Sequence, residues 1–119
     1  MPPTVLVVDD DADLRAYLAR GLRAVGPVLE AADGLDALAL LTAGTEPVAA
    51  VVTDLVMPRL DGHGLCRAMQ ADPALAAIPV LVISGEADSE APGVCATLRK
   101  PFNARTLRQR VETMLAAAA

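Results

Sequence analysis

Four apolar runs in this chain each stop at polar residues able to do chemistry. Val5 to Val8 runs into Asp9-Asp10, Val48 to Val52 into Thr53-Asp54, Val80 to Ile83 into Ser84, and Val94 to Leu98 into Arg99-Lys100. Short runs rich in β-branched residues and bounded by Gly and Pro read as buried strands. In a parallel sheet all strand C-termini share one edge, and ligands of open α/β sheets bind there. Asp9, Asp10, Asp54, Ser84 and Lys100 would then meet in one crevice. Three carboxylates held close repel, and burial raises the cost of ionising them. A hard divalent cation relieves that repulsion, and an all-oxygen set with room for water suits Mg2+ better than a softer metal. The plain alternative is that the acids are protonated or solvated, with no metal.

The lysine adds to this. The chain has nine Arg and one Lys, and the single Lys stands at a strand end just before Pro101. A compact ammonium can pair with a carboxylate or a phosphoryl oxygen where a planar guanidinium does not fit.

The elements that must position these residues follow from periodicity. Asp11 can cap a first helix carrying Leu14, Tyr17, Leu18, Leu22 and Val25, which Gly26-Pro27 ends. Val28 to Ala31 is a short second strand and Asp33-Gly34 a turn. Leu35, Leu38 and Leu41 line one side of a second helix that stops near Gly44. A third helix starts near Asp61-Gly62, carries Leu65, Cys66 and Met69, and ends at Asp72-Pro73. Asn103 can cap a last helix with Leu107, Val111, Met114 and Leu115 on its buried side, and Ala116 to Ala119 reads as a frayed tail. Between Gly85 and Gly93 there is no apolar stripe and no sign of a full helix. Alternating strands and helices imply an α/β, doubly wound parallel sheet with right-handed crossovers. For five strands the leading order is flavodoxin-like, 2-1-3-4-5, which sets strands one and three side by side.

Length and composition agree. At 119 residues the chain suits one domain, spanning 1–119, with a core large enough to need no disulfide or metal staple. Tyr17 and Phe102 are its only aromatics, so Val, Leu, Ile and Ala must fill the core. No apolar stretch approaches a bilayer span, and no basic segment precedes the first apolar run as in a signal peptide. Cys66 and Cys95 lack metal-type spacing and fit packing in a reducing cytoplasm. A net charge of −5 argues against general nucleic-acid binding. The charge is uneven: residues 1–98 hold five basic and fourteen acidic side chains, residues 99–119 five basic and one acidic. Arg105, Arg108 and Arg110 give the last helix a basic surface, suited to an acidic partner or simply to water. His63 reads as a partly exposed polar residue beside the acidic crevice, and Met57 and Met69 as loop anchor and core.

Taken together, these pieces resemble the receiver domain of two-component response regulators over essentially the whole chain. The matching motifs are Leu6-Val7-Val8-Asp9-Asp10, Thr53-Asp54-Leu55-Val56-Met57-Pro58 with Asp61-Gly62, Ser84-Gly85, and Lys100-Pro101-Phe102. Their order makes the joint signal specific. The resemblance implies that Asp54 accepts a phosphoryl group from a sensor histidine kinase or phosphotransfer protein. It implies Mg2+ bound by Asp10, Asp54 and the Val56 carbonyl, with Asp9 acting mainly through water. It assigns Lys100 and Ser84 to the phosphoryl oxygens and makes the bond before Pro101 cis. It also implies a bacterial, cytoplasmic phosphoprotein with weak autodephosphorylation rather than an enzyme, an unknown protein target, possible homodimers, and no nucleic acid or membrane.

Two departures stand out. Thr97 occupies the switch position where the family usually carries Tyr or Phe. Only fifteen residues separate Ser84 from Lys100, so the family's fourth helix is expected to be shortened or missing. A receiver without phosphorylation, kept as a binding or dimerisation module, is the alternative these departures leave open. A Mg2+-dependent phosphatase is disfavoured because Val56 stands where its second acid is needed, and a nucleotide-binding domain because no glycine-rich phosphate loop is present.

Overall fold

A computed structural model describes residues 2–85 and 94–118. The elements run β1 (Val5–Val8), α1 (Ala12–Leu22), β2 (Val28–Ala31), α2 (Gly34–Ala43), β3 (Ala50–Asp54), α3 (Gly62–Gln70), β4 (Val80–Ser84), β5 (Val94–Arg99) and α4 (Ala104–Ala118). The strands form one parallel sheet in the order β2-β1-β3-β4-β5, as expected. Every residue of β1, β3 and β4 is buried, because helices cover both faces of a parallel sheet and leave no solvent side.

Alternation divides the core in two. Leu6, Val8, Val51 and Val82 face one way and pack with Ala37 and Leu41 of α2 and Leu65, Cys66 and Met69 of α3. Val5, Val7, Val52, Leu81 and Ile83 face the other way and pack with Leu18 and Leu22 of α1 and Leu107, Val111 and Met114 of α4. Capping fixes where the helices start. Asp11 accepts from Asp13 N (3.0 Å) and Leu14 N (3.2 Å), Asp33 from Asp36 N (2.9 Å), Asp61 from Gly64 N (2.7 Å), and Asn103 from Thr106 N (2.8 Å). Each such cap is worth about 1 kcal/mol.

Several boundaries differ from the sequence reading. β3 is Ala50–Asp54 rather than Val48 to Val52, because Ala50 pairs with Val5, the first residue of β1. Asp54 is therefore the last residue of the strand. In α2 the buried side is Gly34, Ala37 and Leu41, while Leu35 is 45% exposed. Gly34 N–H donates to the Leu60 carbonyl (3.0 Å), and this contact rotates the helix so that Leu35 points out. α3 stops at Gln70, before Asp72; the turn after it buries Leu75 under the sheet. α4 runs through Ala118 instead of fraying, since Ala is the strongest helix former and nothing interrupts it. Among the described residues there are four helices, which fits a shortened fourth family helix; the segment 86–93 and the Cys95 side chain lie outside the described residues.

Candidate functional site

Four strand ends and one loop build the site. β1 carries Asp9, whose N–H donates to the Ala31 carbonyl (3.1 Å) and so extends the pairing by one residue. Arg15 fixes that end by donating to the Asp9 carbonyl (2.8 Å) while also reaching Glu30 (3.1 Å). Asp9 is 1% exposed, and its Oδ1 accepts the Asp11 N–H at 2.9 Å. Its Oδ2 is buried without a hydrogen-bond partner among the described residues. Asp10 lies next to it, exposed.

β3 ends at Asp54, which is 9% exposed. One carboxylate oxygen each from Asp9, Asp10 and Asp54 lie within 4.8 Å of one another. Burial, the largest cause, pushes the Asp9 carboxyl up to about 6 from 3.8, and the charges of Asp54 and Asp10 push the same way. The Asp11 N–H and Lys100 oppose that rise. The other neighbouring acids serve elsewhere: Asp11 and Asp61 spend their oxygens on helix caps.

β4 and β5 supply the remaining groups. Their register shifts by one residue between Val80 and Leu81, after which Ser84 stands opposite Arg99. Lys100 N–H then donates to the Ser84 carbonyl at 2.9 Å. The Lys100–Pro101 bond is cis. Lys100 Nζ lies 3.2 Å from Asp54 Oδ1. Ser84 is 2% exposed, one residue beyond Ile83, the β4 partner of Asp54. Thr97 sits within β5, half-buried, opposite Val82, and its carbonyl accepts from Arg110 Nη2 at 2.7 Å. Val56, in the loop after β3, is 74% exposed.

An oxygen-only set with an unpartnered buried carboxylate oxygen fits a hard divalent cation. The family model for the response regulator receiver domain matches residues 5–112.

The chain belongs to the response regulator receiver family.

This receiver is 37% identical to the response regulator receiver protein CpdR of Brucella abortus, over 96% of this chain and 98% of the relative. Its structure is similar to that of the chemotaxis response regulator CheY4 of Vibrio cholerae, with a TM-score of 0.86 and 28% identity, covering 96% of this chain and 99% of that one. The receiver domain of the Francisella response regulator 1452 is similar too, with a TM-score of 0.86, 27% identity, and 98% and 99% of the two chains covered. No helix among the described residues is long and apolar enough to cross a membrane.

Sequence reasoning missed one part of the receiver's surroundings. Arg59 donates to Asp33 through Nε (2.6 Å) and Nη2 (2.9 Å), and to Asp36 through Nη2 (2.8 Å). The only signal available was a pair of acids at the start of α2, and nothing in their spacing points to a partner 26 residues on. His63 is half-buried, in keeping with a partly exposed residue, and its Nε2 is enclosed and unpartnered among the described residues.

Proposed function

We propose that residues 1–119 form one receiver unit that accepts a phosphoryl group on Asp54 from a sensor histidine kinase or phosphotransfer protein. The observation that carries this is the convergence of three carboxylates with the chain's only lysine on Asp54. An oxygen of the Asp54 carboxylate attacks phosphorus. The phosphorus–nitrogen bond of the phosphohistidine breaks, its electron pair stays on the imidazole, and an acyl phosphate forms on Asp54.

Asp10, Asp54 and the Val56 carbonyl would hold Mg2+, with Asp9 acting through water. When bound, the ion neutralises charge on the transferring group. Lys100 orients and stabilises the phosphoryl oxygens. Ser84, at the rim of β4, hydrogen-bonds the phosphoryl group and draws its loop inward, and Thr97 takes the switch position on β5. Water later cleaves the acyl phosphate slowly, so the chain is a self-modifying acceptor rather than an enzyme acting on a separate product. The setting is a bacterial cytoplasm. Output is a changed contact with a protein target or a second copy, without nucleic acid or membrane.

A small phosphodonor with Mg2+ tests this by intact-mass measurement. One added phosphoryl group is expected, and none on Asp54→Asn. No uptake from any donor would leave the second reading, a binding module without phosphorylation. Thr97, in place of the usual aromatic, is the observation that favours it.

A further inference from the structure

The loop that joins Asp54 to α3 is tied at its base and at its tip. At the base, Leu55 N–H donates to the Ile83 carbonyl (3.0 Å) and Gly62 N–H to the Leu55 carbonyl (2.9 Å). Met57 is tucked into the core while Val56 beside it stands out in solvent. At the tip, Leu60 N–H donates to the Pro58 carbonyl (2.8 Å), and Arg59 between them has φ 67°. That makes a γ-turn of the positive-φ kind, which is rare and strained. A side chain with a Cβ is unfavourable there, and only surrounding structure keeps it in place.

The surrounding structure is the start of α2. Arg59 grips Asp33 with two nitrogens and Asp36 with one, at 2.6, 2.9 and 2.8 Å. Asp33 is itself fixed, since it is buried and caps α2. The backbones interlock as well: a Cβ on Gly34 would lie 2.3 Å from the Leu60 carbonyl oxygen. An exposed ion pair on its own is worth little. A two-nitrogen grip on a buried, capping carboxylate restricts geometry as well as charge.

We infer that Arg59 is a positioning residue. Its clamp on Asp33 and Asp36 fixes the 55–61 loop, which carries the Val56 carbonyl of the proposed ligand set. It thereby sets the affinity of the acidic cluster for a divalent cation. This rests on the ligand set of the phosphoacceptor reading, and it adds a residue from outside that set.

Arg59→Gly separates the clamp from folding, because Gly suits a positive φ while lacking the guanidinium. Asp33→Asn still caps α2 but loses the charge. Arg59→Lys keeps the charge and loses the fork. Mg2+ titration by calorimetry and amide hydrogen exchange of the metal-free protein are the readouts, with melting temperature as a control. In Arg59→Gly the relief of positive-φ strain offsets the lost ion pairs, so it should melt near the wild type, bind Mg2+ about tenfold more weakly, and exchange faster at Leu60, Gly62 and Gly34. Asp33→Asn should shift Mg2+ affinity the same way, and Arg59→Lys should recover part of it.

Mg2+ affinity of Arg59→Gly within about twofold of wild type, with unchanged exchange, would overturn the inference. So would a lowered melting temperature with Mg2+ affinity intact. Failure of the phosphoacceptor reading looks different: the wild-type chain binds Mg2+ but takes no phosphoryl group, and the Arg59 result is still decided by Mg2+ binding. A wild-type chain that binds no Mg2+ overturns both.

Discussion

Lys100 Nζ stands 3.2 Å from Oδ1 of Asp54, and the backbone beside each of them is anchored to the same strand. Leu55 N–H, just after Asp54, bonds to Ile83, and Lys100 N–H bonds to Ser84, the next residue on the same strand. β4 thus acts as a common ruler for acceptor and ammonium. Removing the ammonium takes away a fixed positive group from the place where phosphoryl charge gathers. Lys100→Ala is expected to slow phosphoryl uptake by about 10²-fold, the usual scale for losing one such donor. Lys100→Arg should restore only part, since a planar fork cannot occupy a point-charge site. A time course of intact mass with a small phosphodonor measures both, and wild-type speed in the Ala variant would refute the role.

The raised Asp9 carboxyl ties stability to pH. Its value is about 6 in the folded chain, against 3.8 ordinarily, chiefly through burial. The folded state therefore binds this proton more tightly than the unfolded chain. The contribution is full below about pH 4 and is lost as pH rises to about 6, a loss of about 3 kcal/mol without metal. A cation in the cluster favours the ionised form, so Mg2+ should raise the melting temperature more at about pH 7.5 than at about pH 5. Asp9→Asn should melt higher than wild type in chelator at the higher pH, and gain less from Mg2+. Equal Mg2+ gains at both pH values would count against this account.

Asp33 is shifted the opposite way. The Arg59 hydrogen bonds, first, and the Asp36 N–H hold its carboxyl below the ordinary 3.8. A depressed value means a contribution that is present above about pH 4 and lost as pH falls through the folded value. Asp33→Asn should therefore be less stable than wild type near neutrality, with the gap closing in acid. Urea unfolding at a series of pH values follows it. A gap that stays constant into strong acid would mean that packing, not charge, joins Arg59 to Asp33.

What the sequence makes legible is decided by locality. Val5 to Val8, Ala50 to Val52 and Val80 to Ile83 are buried on both faces, so each is an unbroken apolar run with a visible end. Asp9, Asp10, Asp54 and Ser84 stand at those ends and Lys100 at the end of β5, and the 2-1-3-4-5 order brings the strand ends together. The features that escaped reading depend on distant neighbours. Leu35 looks like a core residue on spacing, but Gly34 against Leu60 turns α2 away from it. The start of β3 was set by pairing with Val5, which leaves no mark on Val48 or Ala49. Arg59 carries no periodicity signal, and its φ and its acidic partners emerge only when α2 and the loop after β3 meet.

Gly62 gives a last test of how closely the loop must fit Asp54. A Cβ there would lie 2.6 Å from the Asp54 carbonyl oxygen and 3.1 Å from Leu55 Cα. Both are backbone atoms, so neither can swing aside. The Asp54 carbonyl is also held by the buried Thr53 hydroxyl at 2.9 Å, which leaves little slack on the other side. Gly62→Ala should cost about 1–3 kcal/mol, the range for overfilling a packed site. It should also slow phosphoryl uptake at least about tenfold, because the displaced strand end carries the attacking carboxylate. Gly44→Ala is the matched control. Gly44 has φ 64° with nothing within 4 Å of a Cβ, so its loss should cost about 1 kcal/mol of backbone strain and leave uptake unchanged. Urea unfolding and the intact-mass time course separate the two variants. Equal uptake by Gly62→Ala and Gly44→Ala would show that the acceptor tolerates movement of the loop behind it.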